Sequence, residues 1–390
     1  MKARAKFDLC MVNSPIRYPN EAIFLDHDIQ VLRSLCHRIL VITGNFLKGY
    51  DENVKVINIE RKEIPLLQLS MFQSIWRQLI TQLRLAHQIV KFRSAIKLVL
   101  FNIGEYRNLL PLVVAKLLRK KTVVFQHGGN KILESKILYS RGVKRFFVLV
   151  DIFLLRASYA LTDYILCQTP HVIKFGKLQR YAHKIIFWPG CYIDVERFKP
   201  KKMPEERENL IGYTGRLSPV KGVVNLVKAI PLVLEKRSDV KFIICGIGPE
   251  KPSIEATIRE LRLDRHVTLL PWLPDDEFTD LLTDKLKVFV LPSYEEAVPQ
   301  VIREAMASGV IVLTTPVGGL PDLVKDGETG FIMENNTPEC IARHILRVLD
   351  NPDLTRIAQA ARIKVVSQNS FQAVRDTWDG ILKYLVQNRS

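Results

Sequence analysis

No stretch of this 390-residue chain is apolar enough for long enough to span a bilayer. The closest candidate, Phe146 to Leu155, is about ten residues long and is interrupted by Asp151, against roughly 20 for a spanning helix. The six cysteines, at 10, 36, 167, 191, 245 and 340, include no C-x-x-C or other close ligand spacing. That excludes a disulfide framework and a zinc ribbon and leaves reduced thiols as the expectation. There is no Walker loop, nucleophile elbow, solenoid repeat or low-complexity tract. Aromatic residues make up only 8% of the chain and do not alternate with the basic positions. With no nucleic-acid module present either, no specific nucleic-acid partner is expected.

What is present is a globular composition, 47% hydrophobic and 25% charged, over a length that favours two domains. The net charge of +17 is unevenly placed: residues 1–200 hold 32 Lys and Arg against 14 Asp and Glu, while residues 201–390 hold 25 against 26. All the excess lies in the first half, which would attract an anionic membrane surface or an anionic acceptor; the plain alternative is a solubility feature. In residues 75–101, Trp76, Leu79, Leu83, Ala86, Ile89 and Val90 recur at helical spacing with Arg77, Arg84, Lys91, Arg93 and Lys97 among them. That pattern predicts one face packed on the domain and a basic face in solvent or near lipid. The opening MKARAKFDLCMV passes from a short basic stretch into a strand, so no secretory leader is expected.

Apolar strands are predicted at 7–13, 38–43, 54–59, 96–101 and 122–126, then at 210–214, 240–245, 267–270, 287–291 and 310–314, with helices between many of them. The alternation predicts parallel sheets covered on both faces. The proline-containing stretch 185–203 marks a boundary, giving domains at 1–190 and 205–370, a linker at 191–204, and a final amphipathic helix over 371–390 packing back on the first domain. In sheets of this kind ligands bind beyond the carboxyl ends of the strands. The first such loop, SPIRYPNEA at 14–22, lacks the G-x-G-x-x-G fingerprint.

Five later loops do carry chemistry. His127 follows the strand KTVVF with Gly128 and Gly129 behind it, exposed to the crevice. In GYTGRLSPVKG, 212–222, Gly215 allows close backbone approach, Ser218 is placed to cap a helix starting at Pro219, and Arg216 and Lys221 bring two cations to one turn. Two linked phosphates need such a turn. Gly246 and Gly248 in CGIGPEK admit a flat group beside the backbone. Residues 291–309, LPSYEEAVPQVIREAMASG, place Glu296 before a helix and Glu304 inside it; two carboxylates there can accept hydrogen bonds from sugar and ribose hydroxyls. The plain alternative is a solvated loop glutamate followed by a surface one. Gly318 and Gly319 precede a predicted helix at Pro321 and form a second nest of backbone N–H groups, with Asp322 in the first turn.

Gly215-Arg216 with Lys221, the E-x7-E pair, the AMASG ending and the PVGG-x-x-D segment together resemble the retaining glycosyltransferases of family 4. The resemblance is strongest over 205–335 and looser through 1–190. It implies the α/β GT-B fold, two Rossmann-like doubly wound parallel-sheet domains facing across a cleft, with the acceptor on the first and the nucleotide sugar on the second. By that resemblance Arg216 and Lys221 would hold the donor diphosphate and Glu304 the ribose. Glu296 would bind the transferred sugar, His127 would reach the reacting centre from the other domain, and Gly215, Gly246, Gly248, Gly318 and Gly319 would line the donor site. No metal or other cofactor is implied. The expected acceptor is a sugar, glycolipid or polyprenyl-linked saccharide, and the expected location is the cytoplasm, extending to the cytoplasmic face of the membrane. An epimerase or phosphorylase on the same architecture, or a non-catalytic basic binding protein, are the competing readings. Ala297 and Trp272-Leu273 stand where the family often has glycine.

Overall fold

Residues that are apolar on both sides of the pleat build the centres of two parallel sheets. The computed structural model describes residues 8–16, 19–60, 71–102, 108–126 and 143–387. The chain divides into two compact units, Met1–Cys191 with Val374–Ser390, and Tyr192–Ala373.

In the first unit β1 (Leu9–Val12), β2 (Ile39–Thr43), β3 (Val54–Asn58), β4 (Leu98–Phe101), β5 (Lys121–Phe125), β6 (Tyr164–Cys167) and β7 (Ile185–Phe187) lie in the order β3-β2-β1-β4-β5-β6-β7, with every pairing parallel. β1 is buried at every position, and Leu9 pairs with Ile39 on one side and Leu98 on the other. Helices above and below are needed to hide such a strand, which is why its sequence is continuous rather than alternating. The strand order reverses direction between β1 and β4, so the loops leaving these neighbours part and open a crevice.

The helix Phe371–Gln387 supplies a keystone of this unit's core. Trp378 is fully buried, its ring 5.8 Å from Phe125 and 6.3 Å from Trp188, which itself meets Phe125 edge-on at 4.9 Å. Lys121 Nζ donates to the Leu385 carbonyl at 2.7 Å, and Tyr384 packs edge-on to Tyr164.

The helix Met71–Lys91 corrects one expectation. Its buried stripe is Thr81, Leu85 and Ile89, with Ala86 beside it, at i, i+4, i+8. Trp76, Leu79, Leu83 and Val90, expected on the packed face, are exposed, Trp76 by 63%. The helix carries two apolar stripes about 160° apart at 100° per residue, and the helix Leu109–Leu117 and the sheet cover only one.

The second unit holds β8 (Leu210–Thr214), β9 (Lys241–Cys245), β10 (Val267–Leu270), β11 (Val288–Leu291), β12 (Ile311–Thr314) and β13 (Phe331–Ile332) in the order β10-β9-β8-β11-β12-β13, again parallel. Its switch point falls between β8 and β11. β13, a two-residue edge strand, was too short to carry a period of its own. Arg207, buried near the start of this unit, has no ion-pair partner among the described residues. Its guanidinium donates to the carbonyls of Lys202, Leu282, Thr283, Leu286 and Ser308, and burial lowers its pKa to about 10. A planar five-donor group can satisfy that many carbonyls where lysine could not.

Candidate functional site

Four neighbouring strands of the second unit, β9, β8, β11 and β12, each end in one of the loops singled out above, so sheet order alone gathers those loops at one edge. Glycine makes the gathering possible. A Cβ on Gly246 would stand 1.9 Å from the Gly215 carbonyl oxygen, and one on Gly318, whose φ is +60°, 1.8 Å from that of Glu296. A Cβ on Gly248 would stand 2.1 Å from the Leu217 carbonyl oxygen. The loops are therefore in direct backbone contact, and the Gly319 N–H donates to the Ala297 carbonyl at 2.7 Å.

At the switch point Lys221 Nζ lies 2.5 Å from Glu296 Oε1. The lysine follows β8 and the glutamate follows β11, 75 residues apart in sequence and on adjacent strands in space. Both side chains are largely withdrawn from water, at 14% and 7% exposure. Ser293 Oγ donates to the same carboxylate oxygen at 2.7 Å, and Thr315 Oγ1 holds the Ser293 carbonyl at 2.6 Å. A buried carboxylate with two donors on one oxygen is fixed in place and keeps its second oxygen for a ligand. The carboxylate charge reaches Tyr213, whose phenol is pushed well above its ordinary pKa, by burial first and by Glu296 second. Tyr213 in turn donates to the Arg216 carbonyl at 2.8 Å and shapes the turn. The Arg216 guanidinium is exposed and has no hydrogen-bond or ion-pair partner among the described residues.

Glu304 stands apart from this pair. It lies in the helix Gln300–Ala307, half-buried, with no hydrogen bond or ion pair to Lys221 or Glu296. Desolvation raises its pKa to about 7, against Arg197 and Arg303, which lower it, and with Asp275, which adds to the rise. Gly318 and Gly319 immediately precede the single helical turn Leu320–Leu323, whose first turn holds Asp322. Ser218 departs from expectation. Pro219–Lys221 forms one 3-10 turn, the α-helix begins only at Val223 after the left-handed Gly222, and the Ser218 hydroxyl is buried without a hydrogen-bond partner. His127, Gly128 and Gly129 fall outside the described residues.

Sequence reasoning passed over Ser293 and Thr315, although a serine three residues before a glutamate after a buried strand was a usable signal. It also passed over a polar set at the switch point of the first unit. Asn13 follows β1, Asn102 follows β4 and Gln126 follows β5, all buried. Among the described residues, neither amide atom of Asn13 or of Gln126 has a hydrogen-bond partner. Asn102 Nδ2 donates to Asp28 Oδ2 at 2.9 Å. Burial raises the Asp28 pKa to about 7, partly offset by that hydrogen bond. Because the folded value lies above the unfolded one of about 3.9, the native state keeps a proton the unfolded chain has lost, and stability falls as pH rises from about 4 through 7. Asp28→Asn is therefore expected to be more stable than the parent at pH 8, by about 1–3 kcal/mol, with the gap closing towards pH 4. Urea unfolding of both proteins across that range checks it, and a gap independent of pH would exclude Asp28 as the titrating group.

Residues 194–364 match the family described as glycosyl transferases group 1. The second unit is related to that family. Among curated proteins the chain is similar to a 2-deoxystreptamine glucosyltransferase of Streptomyces kanamyceticus, 32% identical over 160 residues, which are 41% of each chain. It is also similar to a D-inositol 3-phosphate glycosyltransferase of Corynebacterium glutamicum, 34% identical over 179 residues, 44% of this chain and 42% of that one. The match thus spans less than half the length of either relative. Over almost the whole chain the fold is that of solved glycosyltransferase structures. Sucrose-phosphate synthase of Thermosynechococcus elongatus superposes with a TM-score of 0.77 at 18% identity, covering 98% of this chain and all of that one. Anabaena HepE in complex with UDP-glucose gives 0.71 at 18% identity, covering 96% and 99%. These matches, with the two parallel Rossmann-like sheets, make the architecture GT-B.

Proposed function

We propose that the protein is a retaining glycosyltransferase that moves a sugar from a nucleoside-diphosphate sugar to an acceptor hydroxyl. The observation that carries this reading is the buried Lys221–Glu296 pair, anchored by Ser293 at a switch point, beside the unpartnered Arg216. The UDP-glucose named for HepE supports the donor class.

In this reading Arg216 and Lys221 bind the donor diphosphate and offset the charge that grows on it as the bond from the anomeric carbon to phosphate oxygen breaks. Glu296 accepts hydrogen bonds from hydroxyls of the departing sugar, Glu304 from the ribose, and Gly215, Gly246, Gly248, Gly318 and Gly319 let the backbone approach the donor. The acceptor oxygen attacks from the face the phosphate leaves, its proton passes to a phosphate oxygen, and configuration is kept without an enzyme nucleophile. His127 is assigned to the reacting sugar. Asn13, Gln126 and the Asp28–Asn102 pair are assigned to acceptor hydroxyls, which would supply the hydrogen bonds that the two amides lack among the described residues.

The acceptor class we favour is a saccharide on a lipid, reached from the cytoplasmic membrane face. Among the described residues no helix is long and apolar enough to cross a membrane. The helix Met71–Lys91 nevertheless exposes Trp76, Leu79, Ile80 and Leu83, and Arg77, Arg84 and Lys91 recur at i, i+7, i+14 along the edge of that stripe. Apolar surface flanked by cations matches an anionic bilayer. Phe146 and Phe153 on the helix Val143–Leu161 add exposed apolar surface in the same unit. Sedimentation with phosphatidylglycerol vesicles is expected to pull down the protein, and Trp76→Glu to weaken that binding at least tenfold. Equal binding to neutral vesicles would sink the lipid assignment.

The function itself is tested by screening the purified chain against a panel of nucleotide sugars, with lipid extract and soluble saccharides as acceptors. Transfer with retained configuration from one donor is the expected result. Donor conversion that needs no acceptor would indicate an epimerase, and release of sugar 1-phosphate a phosphorylase.

A further inference from the structure

A cluster outside the proposed transfer residues has the make-up of a metal site. Glu334 follows β13, and Cys340 and His344 stand one turn apart on the helix Pro338–Leu349. The three side chains bring one ligand atom each within 4.8 Å of one another. Cys340 Sγ is 3.1 Å from Glu334 Oε2, and His344 Nε2 is 3.6 Å from the same oxygen. Around tetrahedral zinc, with Zn–S about 2.3 Å and Zn–N or Zn–O about 2.0–2.1 Å, neighbouring ligand atoms lie roughly 3.3–3.6 Å apart. The two separations from Glu334 Oε2 are already close to that spacing, and the third pair lies within 4.8 Å.

The histidine is set up as a ligand. Its Nδ1 is 3.0 Å from the Cys340 carbonyl oxygen. A carbonyl can only accept, so Nδ1 is the donor there, which leaves Nε2, 3.6 Å from Glu334 Oε2, as the ring atom that would meet a metal. That is the arrangement by which a second hydrogen bond fixes the tautomer of a metal-bound imidazole. Cys340 and His344 are buried while Glu334 is 65% exposed, so the cluster meets solvent at the glutamate. The donor set of thiolate, imidazole and carboxylate suits zinc and its borderline neighbours, not magnesium or calcium.

The geometry points to a zinc site held by Glu334, Cys340 and His344, with water as fourth ligand. On binding, the thiol proton now shared with Glu334 leaves for solvent and the sulfur–metal bond takes its place. Arg343, whose Nη2 lies 2.8 Å from Glu334 Oε2 and 3.6 Å from Cys340 Sγ, must turn away; it is 63% exposed and free to do so. The ion would pin the segment that buttresses the donor loops. Two residues beyond Glu334, Asn336 Nδ2 donates to the Pro292 carbonyl at 2.9 Å, and a Cβ on Gly222 would stand 3.1 Å from the same nitrogen. Asn225 Nδ2 donates to the Asn336 carbonyl at 2.9 Å. Residues ligating here therefore brace the turn of Lys221 and the strand end before Glu296 without belonging to either.

Titration of the chelator-treated full chain with Co²⁺, then displacement by Zn²⁺, tests this without any activity assay. The expected result is one equivalent bound, with a thiolate-to-cobalt charge-transfer band that disappears in Cys340→Ser, and an affinity at least tenfold weaker in Glu334→Gln. Because Glu334 is exposed, that variant separates lost ligation from lost folding. Absence of stoichiometric uptake, a band that survives in Cys340→Ser, or unchanged affinity in Glu334→Gln would each overturn the site.

Discussion

Lys221→Ala is expected to lower kcat/KM for sugar transfer by about 10²–10³, the usual effect of removing one preorganised donor from a developing phosphate charge. Glu296→Ala should cost a comparable factor through lost hydrogen bonds to the sugar. The informative result is the double variant. The two groups share a 2.5 Å contact, so each single change already disturbs the other, and the double is expected to lose little more than the worse single. Stability should separate the two. Lys221→Ala leaves a carboxylate only 7% exposed with Ser293 as its remaining partner, a cost of about 2–4 kcal/mol. In Glu296→Ala the lysine can extend to water, so the loss is smaller, and the double variant should be more stable than Lys221→Ala alone. Steady-state kinetics and urea unfolding on the four proteins decide it. Losses that multiply would mean that the pair acts as two independent groups.

That contact also shows where the sequence stops being legible. Lys221 and Glu296 could each be picked out because glycines, prolines and charged residues followed buried apolar runs, a local pattern. Their pairing depends on β8 lying beside β11, a choice of strand order that local pattern does not encode. The central strands were readable for the same local reason: at β1, β11 and β12 every residue is buried, and only continuous apolar runs satisfy that. Faces were harder. The helix Met71–Lys91 has apolar residues on more than one side, and periodicity cannot say which stripe the domain covers. Ser218 had the composition of a cap but sits before a 3-10 turn whose geometry gives its hydroxyl no N–H to accept. The Cys340–His344 spacing is short, but Glu334 joins it only through the turn between β13 and the next helix, so no local spacing marks the three as a group.

The final helix offers the sharpest test of how the chain is divided. Trp378 is fully buried among Phe125 and Trp188, which come from the end of β5 and the residue after β7. Truncating a tryptophan in such a place removes both its transfer free energy and its edge-to-face contacts, about 3–5 kcal/mol. In a unit of this size that lowers Tm by roughly 10 °C. Because the first unit comprises Met1–Cys191 with Val374–Ser390, and Tyr192–Ala373 forms the other, the loss in Trp378→Ala should fall on one thermal transition and spare the second. Calorimetry should show one component moving down alone, while titration with the donor nucleotide, whose proposed contacts all lie in Tyr192–Ala373, keeps its parental affinity. A uniform fall of both transitions would mean the helix stabilises the two units jointly, and loss of nucleotide affinity would mean that donor binding extends into the first unit.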